Sequence, residues 1–77
     1  MPVRVRFFAS LRERMGQEEV QVRVDGPLTV RELWALATDG RELPPNLLTA
    51  VNLEHAELDW TVQDGDEVAF FPPVTGG

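Results

Sequence analysis

Near its middle the chain reads Leu28-Thr29-Val30-Arg31-Glu32-Leu33-Trp34-Ala35-Leu36-Ala37, and this segment carries a complete set of signals for the start of a helix. Thr29 is the expected N-cap, and Glu32 stands where its partner in a capping box belongs. The residues at i, i+3, i+4 and i+7 give the helix one apolar face: Val30, Leu33, Trp34 and Ala37. We therefore expect a helix that ends near Gly40 and packs its tryptophan in a core.

Four runs with the two-residue period of half-buried strands lie on either side of this helix: residues 3–9, 20–24, 48–53 and 67–71. The order predicts a two-layer α+β domain in which a mixed sheet packs on one main helix. A ubiquitin-like β-grasp fits this order, and in that fold the first and last strands lie side by side and parallel in the sheet centre. We assign residues 1–71 to this domain and residues 72–77 to an extended C-terminal tail.

The segments between these elements are expected to be turns and short connections. Ser10 is a candidate N-cap for one or two helical turns that end at Gly16. Residues 54–58 are expected to form a connection, with a short strand within them as the alternative. His55, the single histidine, is placed on a loop, with no acidic or cysteine partner at ligand spacing. The acidic turn around Gly65 lacks the ligand spacing of a calcium site. The sequence therefore predicts no metal site.

The outward side of the first and last strands carries two phenylalanines. Because successive side chains of a strand point to opposite faces, Phe70 is expected to face the helix and Phe71 to face away from it. The same rule turns Phe8 outward, next to Phe71. An exposed aromatic pair of this kind is typical of a partner-binding surface. The alternative is that residues 10–19 fold over the pair.

The composition narrows the classes of partner. The net charge is −6, and all seven basic residues are arginines. An acidic chain is poorly suited to nucleic acids and anionic membranes, and it favours a partner with a basic docking surface. Cysteine is absent, so the chain has no thiol of its own for sulfur chemistry. Since neither a signal peptide nor an apolar run of transmembrane length is evident, we expect a soluble cytoplasmic protein.

The chain ends Pro72-Pro73-Val74-Thr75-Gly76-Gly77, which is stiff at its root and thin at its tip. Proline lacks the backbone N–H that a central strand needs, so the segment is expected to leave the domain as an outward arm. Its reactive group is the α-carboxylate of Gly77. Attack of a carboxylate on the α-phosphorus of ATP gives an acyl-adenylate, which a sulfur nucleophile converts to a thiocarboxylate and an amine converts to an amide. The plain alternative is a frayed terminus.

Three segments of the chain carry a resemblance to a known family. They read Phe7-Phe8-Ala9 with Leu11-Arg12-Glu13, then Leu48-Thr49-Ala50-Val51-Asn52, and most specifically Asp64-Gly65-Asp66-Glu67-Val68-Ala69-Phe70-Phe71-Pro72-Pro73-Val74-Thr75-Gly76-Gly77. Together they resemble the small, sulfur-carrying subunit of molybdopterin synthase, along the whole chain. The resemblance implies a β-grasp protein that is no enzyme on its own and donates sulfur within a sulfurtransferase complex.

The resemblance also implies roles for single residues and for partners. An E1-like enzyme adenylates Gly77 with ATP, and a sulfur-donor protein supplies the sulfur of its thiocarboxylate. Gly76 lets the tail enter the large catalytic subunit, where sulfur passes to cyclic pyranopterin monophosphate in a complex of two large and two small subunits. The expected partner-binding residues are Phe8, Phe71, Pro72, Pro73, Val74 and Thr75. No permanently bound cofactor is expected, and His55 matches an interface loop that is usually more apolar.

Two alternatives stay open. The thiamine-pathway sulfur carrier is also a β-grasp that ends in Gly-Gly, but it generally lacks the insertion at residues 10–16 and the proline pair. A ubiquitin-like modifier or a plain binding module is the alternative of another class. Without lysine, this chain cannot build lysine-linked chains of itself, although single conjugation to another protein remains open to it.

Overall fold

The structure, a computed structural model, describes residues 2–73. The elements follow in the order β1 (Val3–Phe7), α1 (Ser10–Met15), β2 (Glu19–Val22), β3 (Leu28–Thr29), α2 (Val30–Ala37), β4 (Leu48–Val51), β5 (Glu54–His55), β6 (Thr61–Val62) and β7 (Glu67–Phe71). Five strands form the main sheet in the spatial order β2-β1-β7-β4-β5, and β3 pairs with β6 in a small second sheet.

The main sheet is mixed because its two central strands are parallel. Val5 of β1 lies opposite Val68 of β7 in parallel register. The pairs β1–β2, β4–β7 and β4–β5 are antiparallel. The sheet and the main helix together make a ubiquitin-like β-grasp of the α+β class, so the predicted fold and the predicted central pair are confirmed.

Trp34 is the centre of the core between the sheet and α2. Its ring lies edge-on to Phe7 of β1 and to Phe70 of β7, with centroid distances of 6.1 and 5.0 Å. The indole Nε1 donates a hydrogen bond of 3.0 Å to the carbonyl of Arg41, so the polar atom of the ring is satisfied. The remaining fully buried large side chains come from both layers: Leu33, Val3, Val5, Val30, Val62 and Val68. Trp34 is a core residue, as its helical spacing predicted.

The start of α2 has the predicted capping box. The hydroxyl of Thr29 accepts the backbone N–H of Glu32 at 3.1 Å, and the Glu32 carboxylate accepts the backbone N–H of Thr29 at 2.8 Å. Hydrogen bonds from the Thr29 backbone and then from its hydroxyl favour the ionised form and hold the pKa of Glu32 below its usual value. The helix ends at Ala37, before the expected Gly40, because Asp39 already takes a positive φ of 59°, which a right-handed helix does not allow.

The prediction that Ser10 caps α1 is wrong. The N-cap position belongs to Ala9, whose φ is 52°, and no side chain caps this end. Two tight backbone bonds satisfy the first turn instead, from Leu11 N–H to the Phe8 carbonyl and from Arg12 N–H to the Ala9 carbonyl, both 3.1 Å. This sharp entry into the helix delivers Leu11 to the core, where it is 2% exposed. Gly16 closes α1 in the left-handed conformation, as expected.

The strand predicted for residues 48–53 is shorter than expected, and the loop assigned to His55 is a strand. Asn52 and Leu53 have φ of 50° and 72°, so they form the two-residue turn of a hairpin between β4 and β5. The Asn52 side chain fixes this turn, since its Nδ2 donates to Asp66 Oδ1 and its Oδ1 accepts the N–H of Glu67. His55 therefore lies on β5, paired with Ala50.

The buried hydroxyl of Thr49 allows a test of how the core is packed. Its side chain is 3% exposed, and within residues 2–73 its Oγ1 has no hydrogen-bond partner. A buried polar group without a partner costs about 1–3 kcal/mol, so we expect Thr49→Val to raise the free energy of unfolding by about 1 kcal/mol. Thermal denaturation should then show a midpoint that is roughly 4–8 °C higher.

Thr38→Val is the matched control for this substitution. Thr38 is also buried, but its hydroxyl donates a 2.7 Å hydrogen bond to Trp34. The same chemical change should therefore lower stability there, by about 1 kcal/mol. Equal losses in the two variants would show that the Thr49 hydroxyl has a partner in solution.

Candidate functional site

The face of the main sheet that points away from α2 is called the outer face here. Inward side chains of β1 and β7 are buried, whereas the alternate ones reach the outer face. The strand registers place nine residues of five strands on this face: Glu19, Gln21, Arg4, Arg6, Glu67, Ala69, Leu48, Ala50 and His55. Phe8 and Phe71 extend it at the end where β7 leaves the sheet. The outer face is charged at one end and apolar at the other.

Phe8 and Phe71 form the apolar end. Their rings are stacked, with centroids 4.7 Å apart and planes 15° from parallel. Both side chains are half-buried, so each ring keeps part of its surface in contact with solvent. Leu48 is the register partner of Phe71 and is 40% exposed. Phe8, Leu48 and Phe71 are called the outer patch from here on, and the outward orientation expected for the two phenylalanines is what the structure has.

The charged end is built around Glu67. Its Oε1 accepts a hydrogen bond of 3.3 Å from Arg4, which also lies 3.6 Å from a carboxylate oxygen of Glu19. Its Oε2 lies 3.8 Å from Nη1 of Arg6, a distance beyond that of a hydrogen bond. All four side chains keep contact with solvent, from 28% exposed for Glu67 to 55% for Arg4, so each ion pair contributes little to stability.

Arg6 joins the two ends, and the sequence did not predict this role. Its guanidinium carbon lies 5.1 Å from the centroid of the Phe8 ring, within the range of a cation–π contact. The Nε of Arg6 is buried and has no acceptor within residues 2–73. The available signal was the spacing, since Arg6 and Phe8 are two positions apart and must share one face.

His55 lies on the outer face because it pairs with Ala50, whose side chain points the same way. Its side chain is exposed. In the part of the chain that the structure describes, no three His, Asp or Glu side chains come close enough to hold a metal ion. Neither α1 nor α2, the helices of residues 2–73, is long and apolar enough to cross a membrane.

The tail begins directly at the outer patch. Phe71 is the last residue of β7, and the half-buried Pro72 and Pro73 follow it without regular secondary structure. The other tail residues singled out by the sequence, Val74, Thr75, Gly76 and Gly77, lie outside the described residues. Their roles and those of Phe8, Phe71 and the two prolines remain predictions.

Comparison with known proteins gives full-length matches. The ThiS family model matches residues 5–77. The chain is 45% identical to the molybdopterin synthase sulfur carrier subunit of Escherichia coli, with 97% of this chain and 99% of that protein covered. It is 42% identical to the Haemophilus influenzae protein of the same name, with 95% and 96% covered. It is also 37% identical to small archaeal modifier protein 3 of Haloferax volcanii, with both chains fully covered.

Solved structures share the fold over the whole chain. The crystal structure of SAMP1 from Haloferax volcanii superposes with a TM-score of 0.82 at 34% identity, and both chains are covered completely. A chain of the complex of subunits 1 and 2 of molybdopterin-converting factor from Helicobacter pylori gives a TM-score of 0.66 at 27% identity, again with complete coverage of both. The chain therefore belongs to the ThiS family of ubiquitin-like β-grasp proteins, and it resembles the molybdopterin synthase sulfur carrier subunits along its full length.

Proposed function

We propose that this chain is the sulfur carrier subunit of a molybdopterin synthase, with Gly77 as the residue that carries the sulfur. The observation that carries the proposal is the 45% identity to the Escherichia coli sulfur carrier subunit over 97% of this chain and 99% of that one. The chain is no enzyme on its own in this proposal. It presents a reactive terminus to enzymes that bind it.

The chemistry starts at the Gly77 carboxylate. An oxygen of the carboxylate attacks the α-phosphorus of ATP in the site of an E1-like enzyme, and pyrophosphate leaves. A persulfide on a donor protein then displaces AMP, which gives an acyl disulfide at Gly77. A thiol of a partner cleaves its S–S bond, so the thiocarboxylate is released on Gly77 and a disulfide is left on the partner proteins. The thiocarboxylate sulfur next passes to cyclic pyranopterin monophosphate in the large subunit, two sulfurs per product, to build the dithiolene of molybdopterin. The chain itself contains no cysteine, so every thiol that takes part in these reactions belongs to a partner protein.

The geometry of the domain supports this role because the outer patch and the tail are contiguous. A partner that packs on Phe8 and Phe71 holds the residue from which the tail starts, so docking also aims the tail. Aromatic residues are enriched at interface centres, where their loss is costly. The Helicobacter pylori relative was solved as a complex of subunits 1 and 2, and we propose that this chain binds a large subunit in the same way.

A protein modifier is the second candidate, favoured by the similarity to archaeal modifier proteins. Both functions share the adenylation of Gly77 and differ in the acceptor. A sulfur carrier gives its sulfur to a small molecule and regains a carboxylate. A modifier forms an amide between Gly77 and a lysine of another protein, so the two leave different products.

Intact-mass spectrometry tests the proposal. The chain is incubated with the E1-like enzyme of the same organism, ATP and a sulfur donor, and we expect its mass to rise by the difference between sulfur and oxygen. Fragmentation should place the change on Gly77. Adding the large subunit and cyclic pyranopterin monophosphate should return the original mass and yield molybdopterin. Gly77 linked to lysines in cell extracts, with no molybdopterin formed, would instead establish the modifier.

A further inference from the structure

We infer that the partner that covers the outer patch supplies a carboxylate to Arg6. This inference rests on the proposed function for the identity of the partner. It adds the chemical group that the partner must carry at one position beside its apolar contact surface.

Arg6 has hydrogen-bond donors that the domain leaves unused. Its ion pair with Glu67 spans 3.8 Å, and the other oxygen of Glu67 already accepts from Arg4. Its Nε has no acceptor within residues 2–73. The contact with Phe8 holds the guanidinium beside the outer patch, and the side chain remains 37% exposed. Nε is closed to solvent, so the unpaired donors that solvent and a partner can reach are those of the two terminal nitrogens, Nη1 and Nη2.

A partner on the outer patch removes that solvent. The guanidinium lies 5.1 Å from the centre of the Phe8 ring, so a surface that covers the ring also covers much of Arg6. A charge that loses its water without gaining a partner is strongly unfavourable. Arginine presents its donors as a planar fork that matches a carboxylate with two parallel hydrogen bonds. An Asp or Glu of the partner can replace the hydrogen bonds to water that the Arg6 guanidinium loses on docking.

The negative charge expected opposite Arg6 is opposite in sign to the basic surface that the net charge of the chain favours in a partner. A net charge of −6 steers the chain toward a basic surface at long range. At contact distance, the outer face presents a positive group next to its apolar end. The partner that fits is therefore a protein with a basic surround, an apolar centre and one acidic side chain opposite Arg6, and this arrangement fixes the register of docking.

The experiment measures the Kd of this chain for the large subunit of molybdopterin synthase from the same organism, at low and at high salt. The variant is Arg6→Met, which keeps a long apolar side chain over Phe8 and removes the charge. We expect affinity to fall by about thirtyfold or more and the salt dependence to weaken. Arg31→Met is the control because it makes the same change of net charge on α2, in the other layer. It should change the Kd by no more than about twofold.

Circular dichroism verifies that each variant is folded, and Arg6→Lys serves as the second variant. Lysine keeps the charge without the planar fork, so it should keep the salt dependence and recover only part of the affinity. Equal effects of Arg6→Met and Arg31→Met would overturn the inference, and so would a loss of affinity with unchanged salt dependence, which indicates a neutral acceptor. If the unmodified chain does not bind the large subunit at all, the proposed function fails, and the inference fails with it.

Discussion

Deletion of Gly77, or its extension by one serine, is expected to abolish sulfur transfer while the domain stays folded. Within residues 2–73 the last buried core residue is Phe70, so we expect changes at Gly77 to cost the fold little. One residue of extended chain spans up to about 3.6 Å, and a misplacement of about 1 Å at a reacting centre can cost on the order of a hundredfold in rate. Extension also turns the Gly77 carboxylate into a peptide carbonyl, which cannot attack ATP. Molybdopterin formation with excess carrier is the measurement.

The control for this result is docking. Both tail variants retain the outer patch, so each should compete with the unmodified chain for the large subunit. Their thermal midpoints should match that of the unmodified chain. Normal molybdopterin formation by either variant would show that Gly77 is not the sulfur carrier, and the tail would then be an ordinary chain end.

Phe71→Arg is expected to weaken binding to the large subunit by about 2 kcal/mol or more, which is roughly thirtyfold in Kd. The substitution removes one half of the stacked pair with Phe8 and places a charge at the root of the tail. The fold should lose only about 0.5–1.5 kcal/mol, the usual contribution of an aromatic pair. Calorimetric titration of the large subunit and thermal melts of the free chain measure the two effects separately.

Leu36→Arg is the matched control. Leu36 is also an exposed apolar residue, at 59%, but it lies on α2 and so on the opposite side of the sheet. The same introduced charge should leave the Kd almost unchanged there. If Phe71→Arg melts far lower and yet binds as tightly as the unmodified chain, then Phe71 serves the core and the outer patch is not the docking surface.

The sequence was sufficient where a single physical rule decides the structure. Alternation along β1 and β7 gave the inward and outward residues, and the parallel pairing of the first and last strands in a β-grasp then placed Phe8 beside Phe71. The capping box of Thr29 and Glu32 is equally local, because both hydrogen bonds join residues three positions apart. The parallel pairing of β1 with β7 was predicted from the β-grasp fold. That fold was inferred from the order of the elements and not from any single residue.

The errors lie where the backbone takes an unusual conformation or where tertiary contacts decide. Asn52 and Leu53 both have positive φ, and a leucine in that region carries no turn signal, so the hairpin was read as continuous strand. The same error placed His55 on a loop. The pairing of Leu28–Thr29 with Thr61–Val62 is too short to show a period. The contact of Arg6 with Phe8 required knowing which side-chain rotamer the neighbouring strands allow.

The parallel pairing of β1 with β7 has a consequence for the order of synthesis. Arg4 and Glu67 are 63 positions apart, yet they lie side by side in the sheet. β7 also joins the hairpin β1–β2 to the hairpin β4–β5, so an unfinished chain holds two hairpins with nothing between them. Pairing of strands this distant in sequence slows folding, because a long loop must close before the contacts form. Phe71, one of the three residues of the outer patch, and the terminus proposed to carry sulfur both follow the first residues of β7, so a prematurely stopped chain lacks them. The central strand of the sheet is therefore present only in chains that have been synthesised almost to their end.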